Sequence, residues 1–417
     1  MTNPVPLRKD SVAAGGRETF VIIGAGQCGA QAACTLRERG FHGRIVLVGD
    51  EPRIPYMRPP LSKKFLASSL EEDRLYLRPA SFYKSADIDL VLGASVEHVD
   101  ASASRVHLNN GLRLGYDKLL IATGSRPRML HIPGSSGPDI LYLKTLDDSL
   151  RLREAMAPGK RITIVGGGYI GLEVAATAAL AGARVTVLEA SAHVMNRVSS
   201  PGVSSFVEAM HRDRGVEIRC ESRVLSFEGH GRLQHVACAD GALETDVAIV
   251  GIGAVPNIEL AQLAGLACSD GILVDDHCRT SIENIFAAGD CASHPSRFAT
   301  RRLRLESVQN AVDQATIAAH NMCGDDRTYD RVPWFWSQQY EFKLQSAGVI
   351  EGFDKIVERG DRQQGSFALL YHKAGALIAV DAVNMPGEYL AARKRITEQN
   401  VTSPRGALPG NAGQRAA

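Results

Sequence analysis

The chain has 417 residues, 45% of them apolar, and its 47 basic against 46 acidic side chains leave a formal net charge of +1. At roughly 150 residues per domain that length predicts two to four globular domains and excludes a chain that is disordered throughout. No field of one sign exists to hold a nucleic-acid backbone or an anionic membrane, so neither is expected as a partner.

Residues 1–17 carry Arg8 and Lys9 but no apolar run, and read as a disordered segment without a secretory signal. The apolar stretch from Phe20 to Leu36 is broken by Gly24, Gly26 and Gly29 and by two glutamines, which excludes a membrane span. A cytoplasmic location is the expectation. Cysteines 28, 34, 220, 238, 268, 278, 291 and 323 form no C-x-x-C pair, so reduced thiols are expected and no metal-ligand set is read.

Thr19 to Ile23 is a β-branched and aromatic run, followed by Gly24-Ala25-Gly26-Gln27-Cys28-Gly29 and a helical pattern ending at Gly40. A second strand, Ile45 to Val48, delivers Asp50, which lies 21 residues beyond Gly29 and completes a dinucleotide fingerprint. Leu119 to Ile121 is a buried strand running into the turn Ala122-Thr123-Gly124 and on to Pro127. The fingerprint then returns: strand Ile162 to Val165, Gly166-Gly167-Gly168-Tyr169-Ile170-Gly171, a helix to about Leu180, and strand Val185 to Leu188 closing on Glu189. Asp246 to Gly253, then Ala254 to Asn257, repeats the form of 119–127. These two segments read as the crossings into and out of an inserted domain, or as ordinary strand exits.

The chemistry requires these residue types. A pyrophosphate must approach the backbone at a helix N-terminus, where unpaired N–H groups and the positive dipole end stabilise its charge, and a β-carbon at Gly26 or Gly168 would block it. An acid at the end of the second strand accepts hydrogen bonds from a ribose. Glu189 in that place repels a 2′-phosphate, and residues 190–193 hold no arginine or lysine, so NADH is favoured over NADPH.

Asn284 to Gly289 is a further buried strand ending on Asp290, placed to reach a ribityl hydroxyl or simply to turn the chain. Ser307 is read as the N-cap of a helix stopped at Gly324, its N-terminus facing a flavin edge, its apolar side in the core, or both. From Tyr329 the pattern changes to short strands, with a hairpin of 367–371 and 376–380 around His372 to Gly375 and a closing helix from Pro386 to Gln399. Residues 401–417 read as a solvated tail. The expected fold is α/β, with two Rossmann-like domains and a C-terminal α+β domain. The divisions are 18–128 with 257–327 for FAD, 129–256 for NAD as an insertion, and 328–400 for the third domain.

Four segments are more specific than the glycines: Pro59-Pro60-Leu61-Ser62-Lys63, Gly166 through Ala176, Arg304 through Ala311, and Pro333-Trp334-Phe335-Trp336-Ser337. With them, residues 19–395 resemble the putidaredoxin reductase-like, NADH-dependent ferredoxin reductases of oxygenase systems, within the glutathione-reductase-like flavoproteins. The resemblance implies that Asp50, Lys63, Val96, Lys144, Asp290 and Val308 contact FAD, with Cys28 in the pyrophosphate turn. It implies that Gly168, Ile170, Glu173 and Glu189 meet NADH, and that Lys63 and Glu173 pair beside the reacting rings. Gly24, Ala25, Gly26, Gly29, Ala122, Thr123 and Gly124 are assigned to the first nucleotide, and Gly166, Gly171 and Gly253 to the second. Three positions depart from the family: Lys144 replaces an arginine, Gln338 an aspartate, and Thr316 a basic residue at the docking face.

Disulfide reductases of this class relay electrons through a cysteine pair on the flavin, and no cysteine lies between residues 35 and 219 here. The remaining use of an NADH-reduced flavin is to release electrons singly, so a [2Fe-2S] ferredoxin serving an oxygenase is the expected acceptor. Tyr169 either covers the flavin face until nicotinamide displaces it or simply packs. Arg301, Arg302, Arg304 and Trp336 are the docking candidates, with a solvated face as the plainer reading. The alternatives are a rubredoxin or monodehydroascorbate-type reductase and, from another class, an apoptosis-inducing-factor-like protein whose binding surface is redox-switched.

Overall fold

The two glycine fingerprints generate two copies of one architecture in the computed structural model, which describes residues 17–401. The readings for the two terminal segments fall almost entirely outside that range. In the first copy, β1 (Thr19–Ile23) leads through the glycine turn into α1 (Gln27–Glu38) and returns as β2 (Arg44–Gly49). β3 (Ile88–Leu92) and β4 (Lys118–Ile121) follow. β1 lies at the centre, parallel to β2 with Ile23 opposite Val48, and parallel to β4 with Ile23 opposite Ile121. All four strands are near-continuous apolar runs because both faces of a parallel sheet are covered.

The second copy has β5 (Arg161–Val165), α2 (Tyr169–Leu180), β6 (Arg184–Leu188) and β7 (Val247–Val250). Its sheet runs 217–219, β6, β5, β7, 140–141, all parallel. In each copy a three-stranded antiparallel layer precedes the last central strand: 96–115 before β4, and 224–244 before β7. Val99, Val106 and Leu114 of the first layer cover Val21 and Val46, and Phe227 and Val236 of the second cover Val165 and Val250.

After β7 the chain returns to the first sheet. β8 (Ile285–Ala287) pairs with β4, giving the order β8, β4, β1, β2, β3. α3 (Val308–Met322) then packs with α1 over Phe20, Ile22 and Leu47. Ser307 caps α3 by accepting from the Asn310 amide at 3.1 Å, and Gly324 ends it in a left-handed conformation (φ +88°). The outward and return crossings are hydrogen-bonded to each other: Ser125–Pro127 pairs antiparallel with Ala254–Pro256, with Arg126 opposite Val255.

The third unit is a five-stranded antiparallel sheet built from β9 (Trp334–Gln339), β10 (Phe342–Gly348), β11 (Lys355–Asp361), β12 (Ser366–Lys373) and β13 (Ala376–Val383). Their spatial order is β9, β10, β13, β12, β11. The expected hairpin is β12 to β13, turned by Ala374 and Gly375, both at positive φ. α4 (Pro386–Val401) lays Tyr389, Ala392 and Ile396 on one face. The other face, through Leu344, Phe367 and Leu369, joins a core with Val203, Val207 and Met210 of the second unit. The fold is α/β with an α+β third domain, as expected.

Candidate functional site

Both glycine turns are shaped by close backbone approach. Gly24 has φ +111° and donates its amide to the Val48 carbonyl at 2.8 Å, and a β-carbon on it would lie 2.1 Å from the Ala122 carbonyl oxygen. Gly166 repeats this at φ +106°, bonding Leu188, with a would-be β-carbon 2.5 Å from the Gly251 oxygen. Gly29 and Gly171 press their helices on the turns, since a β-carbon would meet the Gly24 and Gly166 oxygens at 1.9 and 2.2 Å.

By contrast Gly26 and Gly168, the N-caps of α1 and α2, face open space: nothing lies within 4 Å of a β-carbon built on Gly26, and only the Gly251 oxygen, at 3.9 Å, near one on Gly168. Neither helix has a side-chain cap or an acid in its first turn. Two open, uncapped helix N-termini are what a pyrophosphate requires, so the residues present fit a dinucleotide at each. Ala25 packs under Gly49, and Cys28 is buried in the first turn of α1, where burial pushes its thiol up.

Asp50 stands exposed beyond β2, its Oδ1 accepting from the Glu51 amide at 3.0 Å. Glu189 is more tightly held. Its Oε2 accepts from the Gly167 amide at 2.8 Å and its Oε1 from the Ser191 amide at 2.7 Å. Ile170, beside Gly168, is 52% exposed, an apolar side chain left uncovered at the cradle. Gly253 (φ +109°) faces the guanidinium of Arg197, whose Nη2 would be 3.1 Å from a β-carbon there. Sequence reasoning did not single out Arg197.

A second polar group gathers where the two crossings meet β4. Asp290 accepts from Ser125 Oγ at 2.8 Å, and Lys144 Nζ lies 3.0 Å from Ser125 Oγ and 3.6 Å from Asp290 Oδ2. Burial lowers the Lys144 ammonium from its ordinary value, against the attraction of Asp290. Thr123 Oγ1 donates to the Asn257 carbonyl at 2.7 Å and the Gly124 carbonyl accepts from the Asn257 amide at 3.0 Å, tying Ala122-Thr123-Gly124 to the return crossing. Val308 opens α3 half-buried. Val96 lies in the antiparallel layer opposite Leu108, packed on the first sheet's core.

Lys63 and Glu173 are brought together from units 110 residues apart. Lys63 Nζ donates to Glu173 Oε2 at 2.5 Å, and also to the Pro59 carbonyl at 3.1 Å. Glu173 is 4% exposed and collects two further donors, Ser62 Oγ at 2.6 Å on Oε2 and Ser337 Oγ at 2.6 Å on Oε1. The Pro59–Ser62 turn carrying Lys63 is braced by Arg58, which donates to Glu51 Oε1 and to the Lys144 carbonyl, each at 2.7 Å. Ser62, Ser337, Glu51 and Arg58 were not named as site residues. Ser62 and Ser337 fall within two of the specific segments, but their contacts with Glu173 span 111 and 164 residues, which no local pattern predicts.

Tyr169, the first residue of α2, stacks at a tilt on Phe335 with ring centroids 4.5 Å apart. Burial holds its phenol well above the ordinary value, and its hydroxyl bonds Ser346. Ser346 in turn donates to Asp381 Oδ1 at 2.5 Å, and Tyr371 and Ser199 donate to Asp381 Oδ2 at 2.8 and 2.9 Å. The packing reading of Tyr169 therefore has direct partners.

The docking candidates lie in different settings. Arg302 donates to the Val274 and Ser293 carbonyls, and Arg304 is 12% exposed, clamped by Asp270 at 2.9 Å and Glu306 at 2.5 Å. Arg302 Nη2 and the Arg304 guanidinium are thus engaged within the chain, Arg304 by the neighbouring Glu306 and by Asp270 from 34 residues away. Arg301 alone is largely exposed, pairing with Glu351 at 3.2 Å. Trp336 lies 5.6 Å from Trp334, ring to ring, and Arg393 sits 5.1 Å above the Trp334 ring. Among the described residues one group, Asp275, Asp276 and His277, gathers three ligand atoms within 4.8 Å on a surface turn, remote in sequence from the cradles.

All eight cysteines are free thiols. No helix among the described residues is long and apolar enough to cross a membrane.

Residues 18–315 match the pyridine nucleotide-disulphide oxidoreductase family and residues 334–408 the reductase C-terminal family. Rhodocoxin reductase of Rhodococcus erythropolis is 43% identical over 388 residues, covering 93% of this chain and 91% of its own. The reductase in the crystal structure of the covalent putidaredoxin reductase–putidaredoxin complex superposes with a TM-score of 0.89 at 41% identity, over 92% of this chain and 94% of that one. The ferredoxin reductase for the CYP199A2 system from Rhodopseudomonas palustris gives 0.89 at 40% identity, over 92% and 95%. With two uncapped glycine cradles, a Lys63–Glu173 pair that joins the two units and likeness along nearly its whole length, the chain belongs to the pyridine nucleotide-disulphide oxidoreductases, among the putidaredoxin reductase-like ferredoxin reductases.

Proposed function

We propose that the protein is an FAD-dependent NADH:ferredoxin oxidoreductase that delivers electrons one at a time to a [2Fe-2S] ferredoxin, which in turn feeds a monooxygenase or dioxygenase. One NADH yields NAD⁺, one proton and two electrons, which leave for two ferredoxins. The observation that carries the reading is the pair of open cradles together with the Lys63–Glu173 contact that joins their two units, with no cysteine in either the Pro59–Lys63 turn or the first turns of α2.

Residues 18–128 with 257–327 are assigned to FAD and 129–256 to NADH, with 328–400 as the third domain. The amides at the start of α1 hold the FAD pyrophosphate, and Asp290, oriented by Ser125 and Lys144, takes the ribityl hydroxyls. FAD bound there supplies an acceptor that takes a hydride and gives up electrons singly. The amides at the start of α2 hold the NADH pyrophosphate, and Glu189, fixed by two backbone donors, accepts from the adenosine ribose and repels a 2′-phosphate. Lys63 and Glu173 form the polar floor where the two nucleotides meet. A cytoplasmic location fits this role.

The test mixes the purified protein with NADH and cytochrome c, with and without [2Fe-2S] ferredoxins. Strong dependence on a ferredoxin is expected. Turnover that ignores every ferredoxin and depends on a rubredoxin, or a NADH complex that forms but does not turn over, overturns the reading.

A further inference from the structure

The Glu173 carboxylate is held from the C-terminal unit by a run of buried side chains. Ser337 donates its hydroxyl hydrogen to Glu173 Oε1 at 2.6 Å, and its oxygen accepts from Gln339 Nε2 at 3.2 Å. Gln339 Oε1 pairs with His211 Nε2 at 2.8 Å, and His211 Nδ1 faces the Tyr340 hydroxyl at 3.4 Å. Burial pushes the His211 imidazole down, keeping it neutral. With one N–H to give, it donates from Nε2 to the amide oxygen, which orients the amide nitrogen towards Ser337. Every bond then points towards Glu173.

Strand geometry explains the placement. Ser337 and Gln339 are two apart on β9, so both face inward, while Gln338 between them is exposed. His211 lies on helix Pro201–Arg212 of the second unit, Glu173 on α2, and Lys63 on the first unit. All three units therefore converge on one carboxylate. Ser337, Gln339 and His211 are each 5% exposed or less.

We propose that Ser337 is a positioning residue for hydride delivery: its hydroxyl, braced by Gln339 and His211, fixes the Glu173 carboxylate in register with Lys63. The inference rests on the NADH and FAD reading above. Removing the hydroxyl leaves Glu173 Oε1 a buried acceptor without its donor, and the carboxylate turns away from its set orientation. The chain as a whole keeps its packing, because Ser337→Ala removes one atom and leaves no large void.

The experiment measures anaerobic reduction of the bound flavin by NADH in the holoenzyme, together with the flavin midpoint potential. Ser337→Ala is expected to slow reduction by about five- to tenfold while the half-saturating NADH concentration changes less than about twofold. The midpoint potential moves in the same direction as in Glu173→Gln. In the double variant Ser337→Ala adds nothing to Glu173→Gln, because it acts only through that carboxylate. Gln339→Ala, one bond further out, gives a smaller loss of the same kind. A Ser337→Ala enzyme with wild-type rate and potential, or a loss that persists undiminished in the Glu173→Gln background, overturns the proposal. A wild-type protein whose flavin NADH does not reduce sinks the functional reading itself, which is a separate outcome.

Discussion

Gly24 and Ala122 are adjacent across the first sheet, so close that a β-carbon on Gly24 would lie 2.1 Å from the Ala122 carbonyl oxygen. Gly24→Ala must therefore displace the Ala122-Thr123-Gly124 turn and also adopt a left-handed conformation that alanine resists. The expected cost is at least ~2 kcal/mol, with most of the flavin lost from the purified protein. Thermal midpoint and the ratio of visible to ultraviolet absorbance measure both; a fully yellow variant of unchanged midpoint contradicts the assignment.

Glu189 is the proposed coenzyme selector. Glu189→Ala removes the ribose acceptor and the anion that repels a 2′-phosphate, and it also frees the Gly167 and Ser191 amides. NADH preference over NADPH should fall by about tenfold, mainly through the half-saturating NADH concentration. Steady-state kinetics with both coenzymes decide it, and an unchanged ratio removes Glu189 from the argument.

Asp381 gives the stability a pH dependence. Burial raises its carboxyl above the ordinary value, against bonds from Ser346, Tyr371 and Ser199. The native state then binds this proton more tightly than the unfolded chain does. That contribution is complete below the ordinary carboxyl range near ~4 and is lost as pH rises through the raised native value. Asp381→Asn, which keeps a neutral polar group, should flatten the fall in thermal midpoint from acid to pH ~8 and exceed the wild type there. A parallel curve for the two proteins contradicts this.

The proposed electron path uses no thiol. Burial pushes all eight cysteines above the ordinary thiol value, and five are buried outright. Iodoacetamide at neutral pH should leave NADH-driven reduction of ferredoxin intact. Inactivation matched to the alkylation of one cysteine would point to a thiol relay instead.

The elements most legible in the sequence are those whose chemistry is local. β1, α1 and their repeats β5 and α2 announce themselves because the backbone must turn within a few residues, and only glycine permits it at 24 and 166. Ser307 was readable as a cap for the same reason. What the local pattern lacks is partnership over distance. Arg304 looks like a free surface charge until Asp270 is folded beside it, and Ser337 looks like an ordinary strand hydroxyl until Glu173 arrives from 164 residues away. The Lys63–Glu173 contact was available only through resemblance to a family, since nothing in either segment names the other.

The paired crossings at Ser125–Pro127 and Ala254–Pro256 make the second glycine-turn unit a module with a single doorway in the backbone. Its entrance and exit are neighbouring rungs of one ladder, Pro127 beside Ala254, so the backbone leaves and rejoins the five parallel strands of the first sheet at one seam, while Leu344, Phe367 and Leu369 tie the same unit to the C-terminal sheet.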